Sequence, residues 1–125
     1  APSAVSAHFK AICPYASEII IYGEGKPYCV ALVGLEAEAL MGWAAENGLG
    51  DKPFGEIARD GKTREMISGY VDQLNNHLNR WEQVKRFSII DRELTVEAGD
   101  LTPSLKLKRK SVVDGFHDSI DQLYA

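Results

Sequence analysis

Ten residues, Leu101-Thr102-Pro103-Ser104-Leu105-Lys106-Leu107-Lys108-Arg109-Lys110, carry the densest chemistry in this chain. Four of the last five are Lys or Arg. Pro103 fixes its own φ and pushes Thr102 out of the helical region. The segment therefore reads as an extended turn, with the hydroxyls of Thr102 and Ser104 beside a row of cations. Such a set suits a phosphate or another anion. In an extended segment Lys106 and Lys108 share a face and Leu107 takes the other, so spacing leaves both lysines open as the anion-facing one. The same run also reads as a solvated basic face leading into a helix.

Other chemistry is thin. Ser104 has no His near it in sequence, and an alcohol without a base is inert as a nucleophile. His8, His77 and His117 are scattered without ligand spacing, so no metal site is expected. Gly23-x-Gly25 has the look of a phosphate loop, but a strand follows it rather than a helix, which favours a hairpin turn. Arg80, Lys85 and Arg86 form a second basic group after a long helical pattern. They read either as a solvated helix end or as a phosphate contact.

These groups must be positioned by a small set of elements. Ser3 suits a helix cap, and Val5, Phe9 and Ile12 follow on one apolar stripe before Pro14. Glu18-Ile19-Ile20-Ile21-Tyr22 is a strand, Gly23-Glu24-Gly25-Lys26 a turn, and Tyr28-Cys29-Val30-Ala31-Leu32-Val33 a central strand, nearly apolar throughout. A helix follows over 35–46 and ends at Asn47-Gly48. Pro53-Phe54-Gly55 separates it from the next segment. The longest helix starts at Gly61 and carries Met66, Ile67, Tyr70, Val71, Leu74, Leu78 and Trp81 as a core stripe. Val84, Phe87, Ile89 and Ile90 make a third strand, and Leu94-Thr95-Val96 a short fourth. Residues 97–100 read as a mobile polar loop, and the whole of 97–109, held by few apolar groups, is expected to be poorly ordered. Val112, Val113, Phe116, Ile120 and Leu123 define a last amphipathic helix with Asp118 and Asp121 on its wet side. The order is α+β: a small central β-sheet, made of a hairpin plus a third strand, flanked by helices.

The 125 residues make one domain by size, 1–125, able to bury roughly two-thirds of its unfolded surface. A net charge of −4 argues against a general nucleic-acid binder, because a phosphate-tracking surface makes a domain basic. Cys13 and Cys29 are too few for a disulfide framework, so a reducing cytoplasm is the default. No apolar run is long enough for a membrane span and no leader is visible. The chain opens with Ala1-Pro2, as an excised piece of a longer protein would.

Two stretches resemble the end of long-chain fatty acid–CoA ligases. Thr102-Pro103-Ser104-Leu105-Lys106-Leu107-Lys108-Arg109 is similar to their Leu-Thr-Pro-Thr-Leu-Lys-Leu-Lys-Arg segment. It also aligns with the Thr-x-Ser-Gly-Lys-Ile-x-Arg motif of the wider AMP-binding, adenylate-forming family, with Leu105 in place of the glycine. The run from Ala1-Pro2 through Gly23-x-Gly25-Lys26-Pro27-Tyr28 to Ala31-Leu32-Val33 is similar to the region after their interdomain hinge. That places Ala1 at the end of the hinge motif and the hinge residue upstream.

The resemblance implies a C-terminal lid domain. A large N-terminal adenylate-binding domain, absent from this chain, would hold ATP, Mg2+ and the acyl tunnel. The substrates would be a fatty acid, ATP and coenzyme A, with no nucleic acid and with peripheral membrane association of the full-length enzyme. In the motif's register Lys106 is the catalytic lysine. Thr102, Ser104, Lys108 and Arg109 make the adenylate-facing loop, and Arg80, Lys85 and Arg86 reach phosphates of coenzyme A. The isolated chain would be inactive. From the residues alone, a non-catalytic module that docks an acidic partner through its basic loop stays open beside this.

Overall fold

The computed structural model describes residues 2–125, with side chains from residue 4 onward. Ala1, the expected end of the hinge motif, and the side chain of Ser3 lie outside the described residues. Helix α1 runs Pro2–Ile12, so Ser3 falls inside it rather than at its cap. The other elements are β1 (Ala16–Tyr22), β2 (Cys29–Leu35), α2 (Ala37–Glu46), α3 (Phe54–Arg59), α4 (Gly61–Asn75), β3 (Val84–Ile89), α5 (Arg109–Gly115) and α6 (His117–Leu123).

The sheet has the order β1-β2-β3. Strand β1 pairs antiparallel with β2 through the expected hairpin. Lys26 N–H closes its turn on the Gly23 carbonyl at 3.0 Å. Gly25, at φ +73°, supplies the left-handed conformation that such a turn needs at its third position. Strand β3 joins the other edge of β2 in parallel, which requires the crossover that α2, α3 and α4 provide.

Strand β2 lies inside a three-layer sandwich. Its alternate side chains serve opposite cores. Ala31, Val33 and Leu35 pack with Phe9 of α1, Leu40 of α2, Ile57 of α3 and Ile67, Val71 and Leu74 of α4. Val30 and Leu32 pack on the other side with Ile20, Ile90, Val112 and Ile120, under α5 and α6. Each of the five residues from Val30 to Gly34 is buried, as the unbroken apolar run implied.

Several expectations are corrected. Leu35 ends β2, and Glu36 caps α2, its carboxylate accepting from Glu38 N–H (3.2 Å) and Ala39 N–H (2.7 Å). A short helix, α3, follows Pro53, where a connector was expected. Asp60 caps α4 by accepting from Lys62 N–H at 2.8 Å. That helix stops at Asn75, whose side chain pairs with the backbone of Val84. Trp81 therefore leaves the core stripe and stands 79% exposed on a 3-10 turn over Arg80–Glu82. His77 falls after α4 rather than on a helix, and its ring meets His8 at 4.8 Å, edge to face. Leu94-Thr95-Val96 is not a strand. The last helix breaks in two at Phe116, which ends α5 and starts α6.

Candidate functional site

Residues 100–108 form a β-hairpin, not a loose loop. Lys108 N–H donates to the Asp100 carbonyl (2.8 Å), Leu101 bridges Leu107, and Thr102 N–H donates to the Lys106 carbonyl (2.8 Å). Leu105 N–H closes the turn on the Thr102 carbonyl at 2.8 Å. Pro103 and Ser104 occupy the turn's centre, and Leu105 follows at φ +66°. This is the three-residue hairpin pattern in which a type I turn is followed by one left-handed residue, normally glycine. The family motif has glycine at this position. Leu105 holds the same backbone with its side chain 70% exposed.

The hairpin sorts the expected site residues. Thr102 Oγ1 accepts the Lys106 N–H (3.1 Å) and lies 3.1 Å from Ser104 Oγ, so both hydroxyls brace the turn that presents Lys106. Leu107 turns inward and packs against the cluster that holds Val30, Leu32 and Val112. Lys106 and Lys108 are exposed. Among the described residues neither has a carboxylate within ion-pair range. Arg109 parts from them: as the first residue of α5 it donates from Nη2 to the Ile21 carbonyl at 2.6 Å, strapping α5 to the open edge of β1. It borders two cavities there, of about 350 and 430 Å³.

An ion pair between the half-exposed Arg92 and the buried Asp100, which no local pattern announced, holds the hairpin's base. Asp100 is only 3% exposed. Its carboxylate takes both Arg92 nitrogens, at 2.6 Å and 3.1 Å, and the Thr95 N–H at 3.0 Å. The Arg92 guanidinium also lies 5.1 Å from the centre of the Phe116 ring. The paired guanidinium holds the Asp100 carboxyl below the usual carboxylate range, against the opposing effect of burial. Asp100 stands next to Leu101 in the expected mobile stretch, and only its tertiary partner makes it structural.

The second basic group is divided. Arg80 and Lys85 line a cavity of about 420 Å³ with Pro27, Tyr28, Trp81 and Gln83. Arg86 turns to the end of α6, donating to the carbonyls of Leu123 (3.2 Å) and Ala125 (3.3 Å). Trp81, assigned from its spacing to the core, thus lines this surface cavity together with the two cations. Elsewhere, exposed His117, Asp118 and Asp121 bring ligand atoms within 4.8 Å of one another. Cys13 and Cys29 are free thiols, and burial pushes Cys13 upward in pKa. No helix among the described residues is long and apolar enough to cross a membrane.

Residues 1–125 match the family model described as the AMP-binding enzyme C-terminal domain. Over 112 residues, 89% of this chain and 19% of the relative, the sequence is 31% identical to the long-chain-fatty-acid–CoA ligase FadD15 of Mycobacterium tuberculosis. It is 28% identical over 116 residues to long chain acyl-CoA synthetase 7, peroxisomal, of Arabidopsis thaliana, covering 90% of this chain and 17% of that one. The chain thus spans less than a fifth of the length of these relatives. Its fold matches the A-PCP didomain of the carboxylic acid reductase from Segniliparus rugosus in complex with AMP. That match has a TM-score of 0.70 at 22% identity, over 99% of this chain and 16% of that one. None of these relatives supports the docking-module alternative.

Leu105→Gly should stabilise the domain. A left-handed non-glycine residue costs about 1–3 kcal/mol, and glycine gives back about 0.4–1 kcal/mol through the unfolded chain. Urea unfolding should show a net gain on the order of 1 kcal/mol. A loss would mean that the leucine side chain makes a compensating contact.

Asp100 also predicts an acid limit. Its folded pKa lies below its unfolded value, so its contribution is complete above about pH 4 and is lost as pH falls through the folded pKa. Asp100→Asn should lower stability near neutrality by about 1–3 kcal/mol and flatten the decline on acidification. Melting curves taken from pH 7 downward decide this. An unchanged acid slope would remove Asp100 as its source.

Proposed function

The chain belongs to the AMP-binding enzyme C-terminal domain family, and from that premise we propose that it is the lid of a long-chain fatty acid–CoA ligase. The observation that carries the reading is an ammonium group, Lys106, held outward by a closed hairpin at the motif's lysine position and lacking a carboxylate partner among the described residues. The partner domain would carry the nucleotide pocket and the acyl tunnel. The full-length enzyme would join fatty acid, ATP and coenzyme A into acyl-CoA, AMP and pyrophosphate.

The hairpin's donors, ammonium groups and hydroxyls, fit phosphate oxygens. Its one buried carboxylate, Asp100, is already held by Arg92, so Mg2+ is assigned to the partner domain. Adenylation brings an anionic carboxylate to an anionic α-phosphate. Lys106 would stand between them and offset the repulsion where charge concentrates in the transition state. Thr102 and Ser104 would serve by shaping the turn, and Lys108 would face the same cleft from nearer solvent. Arg109 would act by bracing α5 against β1. Lid motion would bring Lys106 in for adenylation and withdraw it for thioester formation. Arg80 and Lys85 would then meet the phosphates of coenzyme A, with Trp81 and Tyr28 beside them. We place the enzyme in the cytoplasm, in peripheral contact with the membranes that hold its acyl substrates. Its free thiols suit a reducing compartment.

The 125 residues alone should release no pyrophosphate in a fatty acid–dependent assay, because the nucleotide pocket would lie in the partner domain. Turnover by this chain would overturn the lid assignment. In the full-length enzyme, Lys106→Ala should lower ATP–pyrophosphate exchange about a hundred- to thousandfold. Thioester formation from synthetic acyl-adenylate should persist. Lys108→Ala should slow exchange by less than about tenfold. Equal loss of both half-reactions in Lys106→Ala would refute its role.

A further inference from the structure

We propose that Arg92 and Asp100 are positioning residues for Lys106, a clasp that fixes the angle at which the hairpin stands from the sheet; this rests on the adenylation role given to Lys106 above. The anchor is close to the sheet. Ile90 N–H donates to the Val33 carbonyl at 2.8 Å, which extends the β2–β3 pairing to within two residues of Arg92. The other end is the hairpin's first residue. Asp100 gives its carbonyl to Lys108 N–H, one step below the Leu101–Leu107 bridge and two below the Thr102–Lys106 pair.

The carboxylate has no freedom left. Oδ2 accepts from Arg92 Nη1 and Thr95 N–H, and Oδ1 accepts from Arg92 Nη2. A two-point guanidinium–carboxylate contact sets an orientation as well as a distance, which one ammonium cannot do. The same guanidinium lies against Phe116 at the break between α5 and α6. One side chain therefore joins the sheet's end, the base of the hairpin and the junction of the last two helices.

The hairpin's internal bonds do not use Arg92. Thr102, Ser104, Leu105 and Lys106 bond among themselves, and Leu101 pairs with Leu107. Without the clasp the hairpin would survive as a unit, held by Leu107 in the core and by the Asp100 and Leu101 amides on the Thr95 carbonyl, and would swing about those contacts. A long lysine stem on a swinging base spreads its ammonium over a wider volume, and a displacement of about 1 Å can cost roughly a hundredfold in rate. The loss should fall on adenylation and leave the thioester step, for which Lys106 has withdrawn.

The test uses the full-length ligase with Arg92→Ala, Arg92→Lys and Asp100→Asn, each alone and in the Lys106→Ala background. ATP–pyrophosphate exchange reads adenylation, and coenzyme A with synthetic acyl-adenylate reads the second half-reaction. Each clasp variant should lower kcat for exchange about ten- to hundredfold, with KM for ATP little changed and thioester formation intact. Arg92→Lys should not restore the rate, because it keeps the charge and loses the fork. In the Lys106→Ala background the clasp variants should add nothing, since they act through that lysine. If Lys106→Ala itself leaves exchange intact, the catalytic reading falls first. If Lys106→Ala lowers exchange as expected and leaves a measurable residual rate, three results overturn the clasp. They are wild-type exchange in the clasp variants, equal loss of both half-reactions, and a further loss of exchange on top of Lys106→Ala.

Discussion

Strand β2 is the constraint on which the domain depends. It is paired along both edges, with β1 antiparallel and β3 parallel, and it is buried on both faces. Its alternate residues must therefore find two separate apolar layers, and the chain supplies them from opposite ends. Helices α1 to α4 cover one face. The chain after β3, from Ile90 on, covers the other, and it also carries the basic hairpin. Burying Val30 and Leu32 thus brings the 100–108 hairpin onto the sheet, with Leu107 as its inward anchor.

From that placement the cations divide by what lies within reach. Arg109 finds the carbonyl of Ile21 on the edge strand, and Arg86 finds the carbonyls at the end of α6. Arg92 finds Asp100. Lys106, Lys108, Arg80 and Lys85 are left to face outward. A guanidinium can satisfy several acceptors at once in a fixed plane, which fits the use of these three arginines as struts between elements at the domain's surface. The outward lysines keep mobile charges on flexible stems.

Strain and support meet at the turn. Leu105 holds a left-handed backbone that few residues adopt without cost. The surroundings over-determine it: Pro103 sets the turn, Thr102 accepts the Lys106 amide, and the bridge of Leu101 to Leu107 closes the base. A turn with this many internal bonds presents the next residue along a defined direction.

Local pattern made much of this legible. The β-branched runs identified β1 and β2, the even apolar stretch marked β2 as central, and the motif around Lys106 singled out both the family and the lysine. Periodicity located the long helix but overran its end at Trp81, because the stripe continues in spacing after Asn75 turns back to Val84. The polar composition of 97–100 suggested mobility, since nothing local reveals that Asp100 meets Arg92 in a bidentate pair. The division of the basic groups was equally hidden, because it depends on which backbone carbonyls lie nearby after folding. Residue type and spacing determined most of the elements, and the family resemblance, not spacing, chose Lys106 over Lys108 as the candidate lysine. The tertiary structure alone decided which charges are consumed inside the domain and which remain outside, because burial and distance act between residues far apart in the chain.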